Sequence, residues 1–123
     1  KLTVKLTKLT EVYIGNANLK SIYAEDLQQF GENLESFMIF NNSLDFIDEK
    51  LFKFTPNLKY LDLSNNKINK INSEFFYGLT LTHLNFTGNS CHSSDIEATN
   101  VIQLIQKVNE NCVKDLEDPD EDI

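Results

Sequence analysis

The stretch LKYLDLSNNKI, residues 58–68, is the part of this sequence that decides the fold. It fits the pattern L-x-x-L-x-L-x-x-N-x-L, in which large apolar residues and one asparagine keep fixed spacings. The pattern recurs at residues 34–44 and 81–91, and a weaker copy occupies residues 9–19. The copies begin at residues 9, 34, 58 and 81, so the period is 25, then 24, then 23 residues. A period of this length, kept over successive copies, indicates a solenoid of stacked coils.

The repeated pattern resembles that of extracellular leucine-rich repeat proteins. The resemblance implies an α/β fold, a short right-handed leucine-rich repeat solenoid with a parallel concave sheet and a C-terminal helical cap. We expect repeats at residues 9–33, 34–57, 58–80 and 81–90. Because side chains alternate between the faces of a strand, the first, fourth, sixth and eleventh positions should share one core. These positions hold Leu9, Val12, Ile14, Leu19, Leu34, Phe37, Ile39, Leu44, Leu58, Leu61, Leu63, Ile68, Leu81, Leu84, Phe86 and Cys91.

The ninth position of the repeat is asparagine in three copies, at Asn42, Asn66 and Asn89. A buried amide has donors and an acceptor, so each should satisfy backbone groups on its own turn and the next. Ala17 replaces the asparagine in the first copy, as expected for an end coil. The return segments add two apolar columns, at the fourteenth and nineteenth positions. These columns hold Ile22, Ile47 and Ile71, and Leu27, Phe52 and Phe76.

Residues 1–8, KLTVKLTK, have two interpretations. Leu2, Val4 and Leu6 alternate like an edge strand that closes the core. Alternatively, Leu6 belongs to the remnant of a preceding repeat, because it lies three residues before Leu9. The first interpretation, which we prefer, implies a natural start, and the second implies a truncated solenoid.

At the other end, residues 91–114 are predicted to form a helical C-terminal cap. Ser94-x-x-Glu97 is a capping-box sequence, and apolar side chains follow at helical spacing at Ile96, Val101, Ile105, Val108 and Cys112. Cys91 and Cys112 are the two cysteines of the chain. A disulfide between them would fix the helix to the last coil and stabilise the fold by about 3 kcal/mol. Two separate buried thiols are the alternative; a catalytic Cys91 beside His92 lacks an orienting third group.

The sequence pattern Leu84-x-Phe86-x-Gly88-Asn89-x-Cys91, followed by a helix ending in Cys112, resembles that of secreted arthropod leucine-rich repeat proteins. The caps of those proteins often carry four cysteines. A disulfide implies an oxidising compartment. The sequons at Asn41 and Asn85 fit a glycoprotein of the secretory route. We therefore predict a secreted, extracellular protein, and the resemblance implies receptor-like, adhesive or innate-immune roles.

Charge is concentrated at residues 115–123, DLEDPDEDI, which supply −6 of the formal charge of −8. Such a run is typical of a solvated acidic tail, although it could also bind cations or a basic partner. The alternation of Asp118, Asp120 and Asp122 lacks the glycine and terminal glutamate of a calcium loop. The tail and the lack of a basic stripe argue against a nucleic-acid partner. No apolar run is long enough to predict membrane insertion.

No catalytic or metal-binding pattern is present in the sequence. The motifs HExxH, GxSxG and CxxC are absent, and the four glycines form no phosphate-binding loop. The two histidines, His83 and His92, are not at metal-ligand spacing with other candidate ligands. We therefore predict a protein that is not an enzyme and that uses no cofactor or metal.

Strand alternation assigns the outward residues to columns across the sheet. We expect a protein ligand to bind there, at Glu11, Tyr13, Ser36, Met38, Phe40, Tyr60, Asp62 and His83. Within this set Tyr13, Met38, Phe40 and Tyr60 should form an exposed apolar cluster, which is typical of interfaces. A glycan on Asn85 would cover part of this surface. Either that sequon is unused, or ligands bind nearer the first two coils, at an edge or on the convex side. The leading hypothesis is a non-catalytic recognition module. The alternative is a structural or self-associating solenoid without a separate ligand.

Overall fold

The computed structural model describes residues 9–72, 74–91 and 100–113. This part of the chain contains seven short strands and helices, joined by turns and loops. Four strands, β1 (Glu11–Tyr13), β2 (Ser36–Met38), β3 (Tyr60–Asp62) and β4 (His83–Asn85), form one sheet. Helix α1 (Ala24–Leu27) and a 3-10 helix (Gln28–Asn33) connect β1 to β2, and helix α2 (Val101–Cys112) follows β4. The strand order in the sheet is the order in the chain, as expected when each coil stacks on the one before it.

The sheet is parallel, and its register follows the sequence period. Val12 pairs with Phe37, Phe37 with Leu61, and Leu61 with Leu84. Each of these residues is the fourth of its copy, so a shift between neighbouring coils would break the alignment of all the inward positions. The predicted α/β solenoid with a parallel sheet is confirmed.

Three residues after each of the first three strands, an asparagine adopts the left-handed region of backbone space. The φ angles of Asn16, Asn41 and Asn65 are 56°, 53° and 56°. Asparagine tolerates this conformation better than most residues because its short polar side chain can hydrogen-bond locally. The chain therefore leaves the sheet after a few residues and starts the return segment at the same point of each coil.

The predicted inward positions form the core, and burial is complete in the middle coils. Nine of them have no exposed surface: Leu34, Phe37, Ile39, Leu44, Leu58, Leu61, Leu63, Ile68 and Phe86. Burial is weaker in the first coil, where Val12, Ile14 and Leu19 are only partly buried. The prediction that Leu9 is a core residue is wrong, since 37% of it is exposed. Within the described residues, β1 has a neighbouring strand on one side only, which explains this gradient.

The two return columns are also buried, but their aromatic packing is richer than predicted. Phe52 packs edge to face on Phe37 across 5.9 Å between ring centroids. On its other side it contacts Phe75 at 5.6 Å, and Phe75 contacts Phe76 at 4.9 Å. Phe75 is 2% exposed and was not among the predicted core residues, because the period singles out its neighbour Phe76. The aromatic cluster thus joins the strand side of the core to the return side.

The asparagine ladder is confirmed, but it runs in the opposite direction to the one predicted. Asn66 donates its amide to Leu63 O on its own coil and to Ile39 O on the preceding coil, at 3.0 and 2.8 Å. Its Oδ1 accepts from Leu44 N, again on the preceding coil, at 3.2 Å. Asn42 and Asn89 repeat this arrangement with Ala17, Leu19, Ile14 and Phe40, and with Ile68, Leu63 and Phe86. Each asparagine therefore fixes the coil before it, and not the coil after it.

Helix α2 packs against β4 and the end of the core. Its N-cap is Asn100, whose side chain accepts from Gln103 N at 2.9 Å. At its other end Cys112 is fully buried and forms a disulfide with Cys91, as the sequence predicted. Ile71 N donates to Cys112 O at 2.9 Å, so backbone and disulfide both attach the end of the helix to the solenoid.

Several predictions concern residues outside the described ranges. These are the edge strand or repeat remnant at residues 1–8, the capping box at Ser94 and Glu97 with Ile96, and the acidic tail at residues 115–123. The division into repeats and a separate C-terminal cap also remains a prediction. Within residues 9–72, 74–91 and 100–113, no helix has both the length and the hydrophobicity needed to cross a bilayer.

Candidate functional site

The outward residues of the four strands and of the two positions after each strand form a continuous surface, which we call the strand face. It consists of Glu11, Tyr13, Gly15, Ser36, Met38, Phe40, Tyr60, Asp62, Ser64, His83, Asn85 and Thr87. Register pairs bring equivalent positions side by side, for example Ser36 with Tyr60 and Tyr60 with His83. All eight predicted ligand-binding residues lie on this face, although they differ in exposure.

Met38 is the clearest departure from the predicted exposed cluster. It is 8% exposed, so the prediction that it offers a free apolar surface is wrong. Met38 lies on a central strand, between Tyr13 of β1 and Asp62 of β3 in register. A long unbranched side chain fills such a gap between neighbours easily. Ser64 is also buried, at 5% exposure, and so contributes little to the surface.

Tyr13 and Phe40 form the first of two aromatic pairs on the strand face. Their ring centroids are 6.3 Å apart and their planes are almost perpendicular, which is a favourable geometry for two aromatic rings. Phe40 lies close to the backbone of Gly15: a Cβ atom at position 15 would come within 2.7 Å of Phe40 Cε2 and Cζ. The missing side chain of Gly15 therefore makes room for the Phe40 ring. Tyr13, by contrast, is 67% exposed.

Tyr60 and His83 form the second aromatic pair. Their rings are stacked, with centroids 5.1 Å apart and planes inclined by 25°. His83 Nδ1 lies 3.0 Å from Thr82 Oγ1, and this hydroxyl also donates to Lys59 O at 3.2 Å. The hydrogen bond with Thr82 therefore restricts the imidazole of His83 while its ring stacks on Tyr60. Tyr60 retains 36% exposure.

Two Asx residues occupy equivalent positions beside the stacked pair. Asp62 Oδ1 accepts from Ser64 N at 2.9 Å, and Asn85 Oδ1 accepts from Thr87 N at 3.2 Å. These local turns fix both side chains at the ends of their strands. Asp62 and Glu11 are the charged residues of the strand face, and both are acidic.

The strand face offers aromatic, polar and acidic side chains for contact with a partner. Within the described ranges, no group of three or more histidine, cysteine or acidic side chains is placed to hold a metal ion. A hollow with a volume of about 510 Å³ opens at the first coil. Its lining is mostly apolar and includes Ile14, Leu19 and Leu27, with Tyr23 at the margin.

The comparisons with known proteins agree with this geometry. A family model described as leucine rich repeat matches residues 32–90, the part of the chain with the most regular coils. The fold is a leucine-rich repeat solenoid. The chain is also 39% identical over 87 residues to the high affinity nerve growth factor receptors of Mus musculus and Rattus norvegicus. That match covers 70% of the chain and 11% of each receptor, so the chain spans about a tenth of the length of these curated relatives.

The two sequons lie at different places on the leucine-rich repeat solenoid. Asn41 is exposed at the turn after β2, whereas Asn85 is half-buried at the end of β4. The Asn85 carboxamide also accepts from Thr87 Oγ1 at 2.9 Å. The asparagine and the threonine of this sequon are therefore hydrogen-bonded to each other. Of the two, Asn41 is the more accessible in the folded chain, and glycosylation at either residue remains a prediction.

Proposed function

We propose that this leucine-rich repeat solenoid is a non-catalytic recognition module that binds a protein ligand through the strand face. The observation that carries the proposal is the pair of exposed tyrosines, Tyr13 and Tyr60, each fixed by a neighbouring ring. Tyrosine offers a large contact area with few rotatable bonds. Because Phe40 and His83 already restrict these side chains, little conformational entropy remains to be lost on binding.

We propose that the module acts outside the cell. The Cys91–Cys112 disulfide fits an oxidising compartment. The relatives are named as receptors for nerve growth factor, and this name supports a receptor-like role more directly than an adhesive or innate-immune one. The likeness to secreted arthropod proteins remains part of the proposal.

A panel of purified extracellular proteins, including nerve growth factor, provides the test. Each is assayed by biolayer interferometry against the natural chain and against Tyr13→Asp and Tyr60→Asp. Tyr77→Asp is the matched control, because Tyr77 is 74% exposed but lies on a return segment. A ligand of the strand face should lose binding with the first two variants and keep it with the control. The proposal is wrong if every ligand found is lost with Tyr77→Asp and retained with the other two.

Glycosylation is tested separately, because it decides how much of the strand face is accessible. We propose Asn41 and Asn85 as acceptors and expect secreted chain to lose mass on treatment with peptide-N-glycosidase. Peptide mapping then locates the glycan. An occupied Asn85 beside His83 would move the binding surface towards β1 and β2, where Tyr13 lies.

Self-association is the second candidate function, and one feature favours it. The hollow at the first coil, about 510 Å³ in volume, leaves apolar core residues accessible and has Tyr23, 58% exposed, at its margin. If copies associate there, light scattering should show a mass that rises with concentration, and Tyr23→Glu should prevent the rise. A constant monomer mass at millimolar concentration would exclude this alternative.

A further inference from the structure

We propose that the strand face recognises a basic side chain, a lysine or arginine of a protein partner, which pairs with Asp62 and lies against the ring of Tyr60. This inference rests on the proposed function and adds the chemistry of the ligand. It depends on three features of the described residues: an unpaired carboxylate, its aromatic neighbours, and the distribution of cations in the chain.

The carboxylate of Asp62 is half-buried and held in one orientation. Its Oδ1 accepts from Ser64 N at 2.9 Å, and this bond fixes the side chain without using Oδ2. No lysine within residues 9–72, 74–91 and 100–113 forms an ion pair with it. A partly desolvated carboxylate without a cation gains more from an incoming one than a fully hydrated carboxylate does.

The neighbours of Asp62 suit a cation with an apolar stem. Tyr60 lies two residues earlier on the same face of β3, and its ring is supported by His83. Met38, in register on β2, provides a buried apolar floor. A cation over an aromatic face and beside a carboxylate gains from both contacts, while the methylene groups of its stem pack on the apolar residues.

Within residues 9–72, 74–91 and 100–113, no cation belongs to this surface. The eleven basic residues of the chain are all lysine, and none of them belongs to the strand face. The charged residues that do belong to it, Glu11 and Asp62, are both acidic. The face is therefore complementary in charge to a basic partner and repels an acidic one.

Asp62→Asn is a clean perturbation because the fold already uses asparagine at the equivalent position. Asn85 in the next coil accepts from Thr87 N as Asp62 accepts from Ser64 N. The variant should therefore keep the local turn and remove only the charge, provided that the chain is produced in a host without N-glycosylation, because the substitution creates an N-x-S sequon with Ser64. Glu49→Gln is the matched control, since it removes one negative charge from a return segment.

The test is a nuclear magnetic resonance titration of the chain with three small probes. These are the N-acetyl methylamides of arginine, lysine and citrulline, the last being neutral and close to arginine in shape. Arginine or lysine amide should shift the backbone amides of Asp62, Tyr60 and Ser64 in a saturable manner. Binding should weaken about tenfold in Asp62→Asn and stay unchanged in Glu49→Gln. Comparison of the two cationic probes shows which side chain is preferred.

Two results would overturn the inference. One is an equal response to citrulline amide, and the other is a response to the cationic probes that is unaffected by Asp62→Asn. Neither result refutes the proposed function. A protein that loses binding with Tyr60→Asp but not with Asp62→Asn would establish the strand face as a binding surface and reject the basic side chain as its ligand.

Discussion

Replacement of Asn66 by alanine is the change that tests most directly how the coils are held together. Asn66 is 6% exposed. Its Oδ1 accepts from Leu44 N, and its amide donates to the carbonyl groups of Ile39, Leu63 and Ser64. The side chain thereby joins its own turn to the preceding coil at a place where water cannot substitute for it.

The expected loss of stability follows from the groups left behind. A buried N–H without a partner, here that of Leu44, costs about 1–3 kcal/mol. The carbonyl groups that lose the Asn66 amide add to this, so we expect a decrease of about 3 kcal/mol in the free energy of unfolding. For a domain of this size the midpoint of thermal unfolding should fall by about 10 °C.

Calorimetry and urea unfolding of two further variants separate hydrogen bonding from other causes. Asn66→Asp keeps the acceptor for Leu44 but places a carboxylate against the carbonyl groups, so it should be less stable than Asn66→Ala. Asn69→Ala is the control, because Asn69 is exposed and has no side-chain hydrogen bond. The reasoning fails if Asn66→Ala is as stable as the control, or if Asn66→Asp is as stable as the natural chain.

Two further predictions concern the last coil and the helix that follows it. Replacement of both Cys91 and Cys112 by alanine should lower the free energy of unfolding by about 3 kcal/mol, because the disulfide closes a loop with a sequence separation of 21; urea unfolding measures this, and a loss below 1 kcal/mol would contradict it. Gly88→Ala should cost about 2–3 kcal/mol, since φ is +74° and the new Cβ would overlap the Asn65 side chain. Gly78→Ala, with φ of +80° and open space around it, should cost only about 1 kcal/mol, and equal losses would show that the overlap is relieved at no cost.

The fold was predictable because the sequence repeats the same physical requirement at fixed intervals. Residues such as Phe37, Leu61 and Leu84 follow one another with the period of the coil, and period alone assigns them to one column. The direction of the asparagine ladder was not predictable, because an amide at the turn has the same donors and acceptor whichever neighbour it meets. Phe75 was missed for a related reason: the period selects one of two adjacent phenylalanines, whereas the interior accommodates both.

For the candidate site, strand alternation predicted which face each side chain occupies but not how exposed the side chain is. Alternation places Tyr13, Met38 and Tyr60 on one face, but exposure depends on what the neighbouring strands carry. Met38 is covered, whereas Tyr13 at the edge is 67% exposed. The position of Phe40 depends on the absence of a side chain at Gly15, a contact between different coils that no local pattern reveals.

The strand face can change its chemistry without changing the fold, and Asp62 and Asn85 show why. They occupy equivalent positions of neighbouring coils and accept the same hydrogen bond from the residue two places later. The first two coils carry Tyr13 and Met38 at this position, so the fold does not require a charge there, and in the last two coils a carboxylate and a carboxamide accept the same bond. The charge of Asp62 is therefore not needed to build the coil. Because the core and the asparagine ladder already determine the stability of the solenoid, the charge at this position remains available for recognition of a partner.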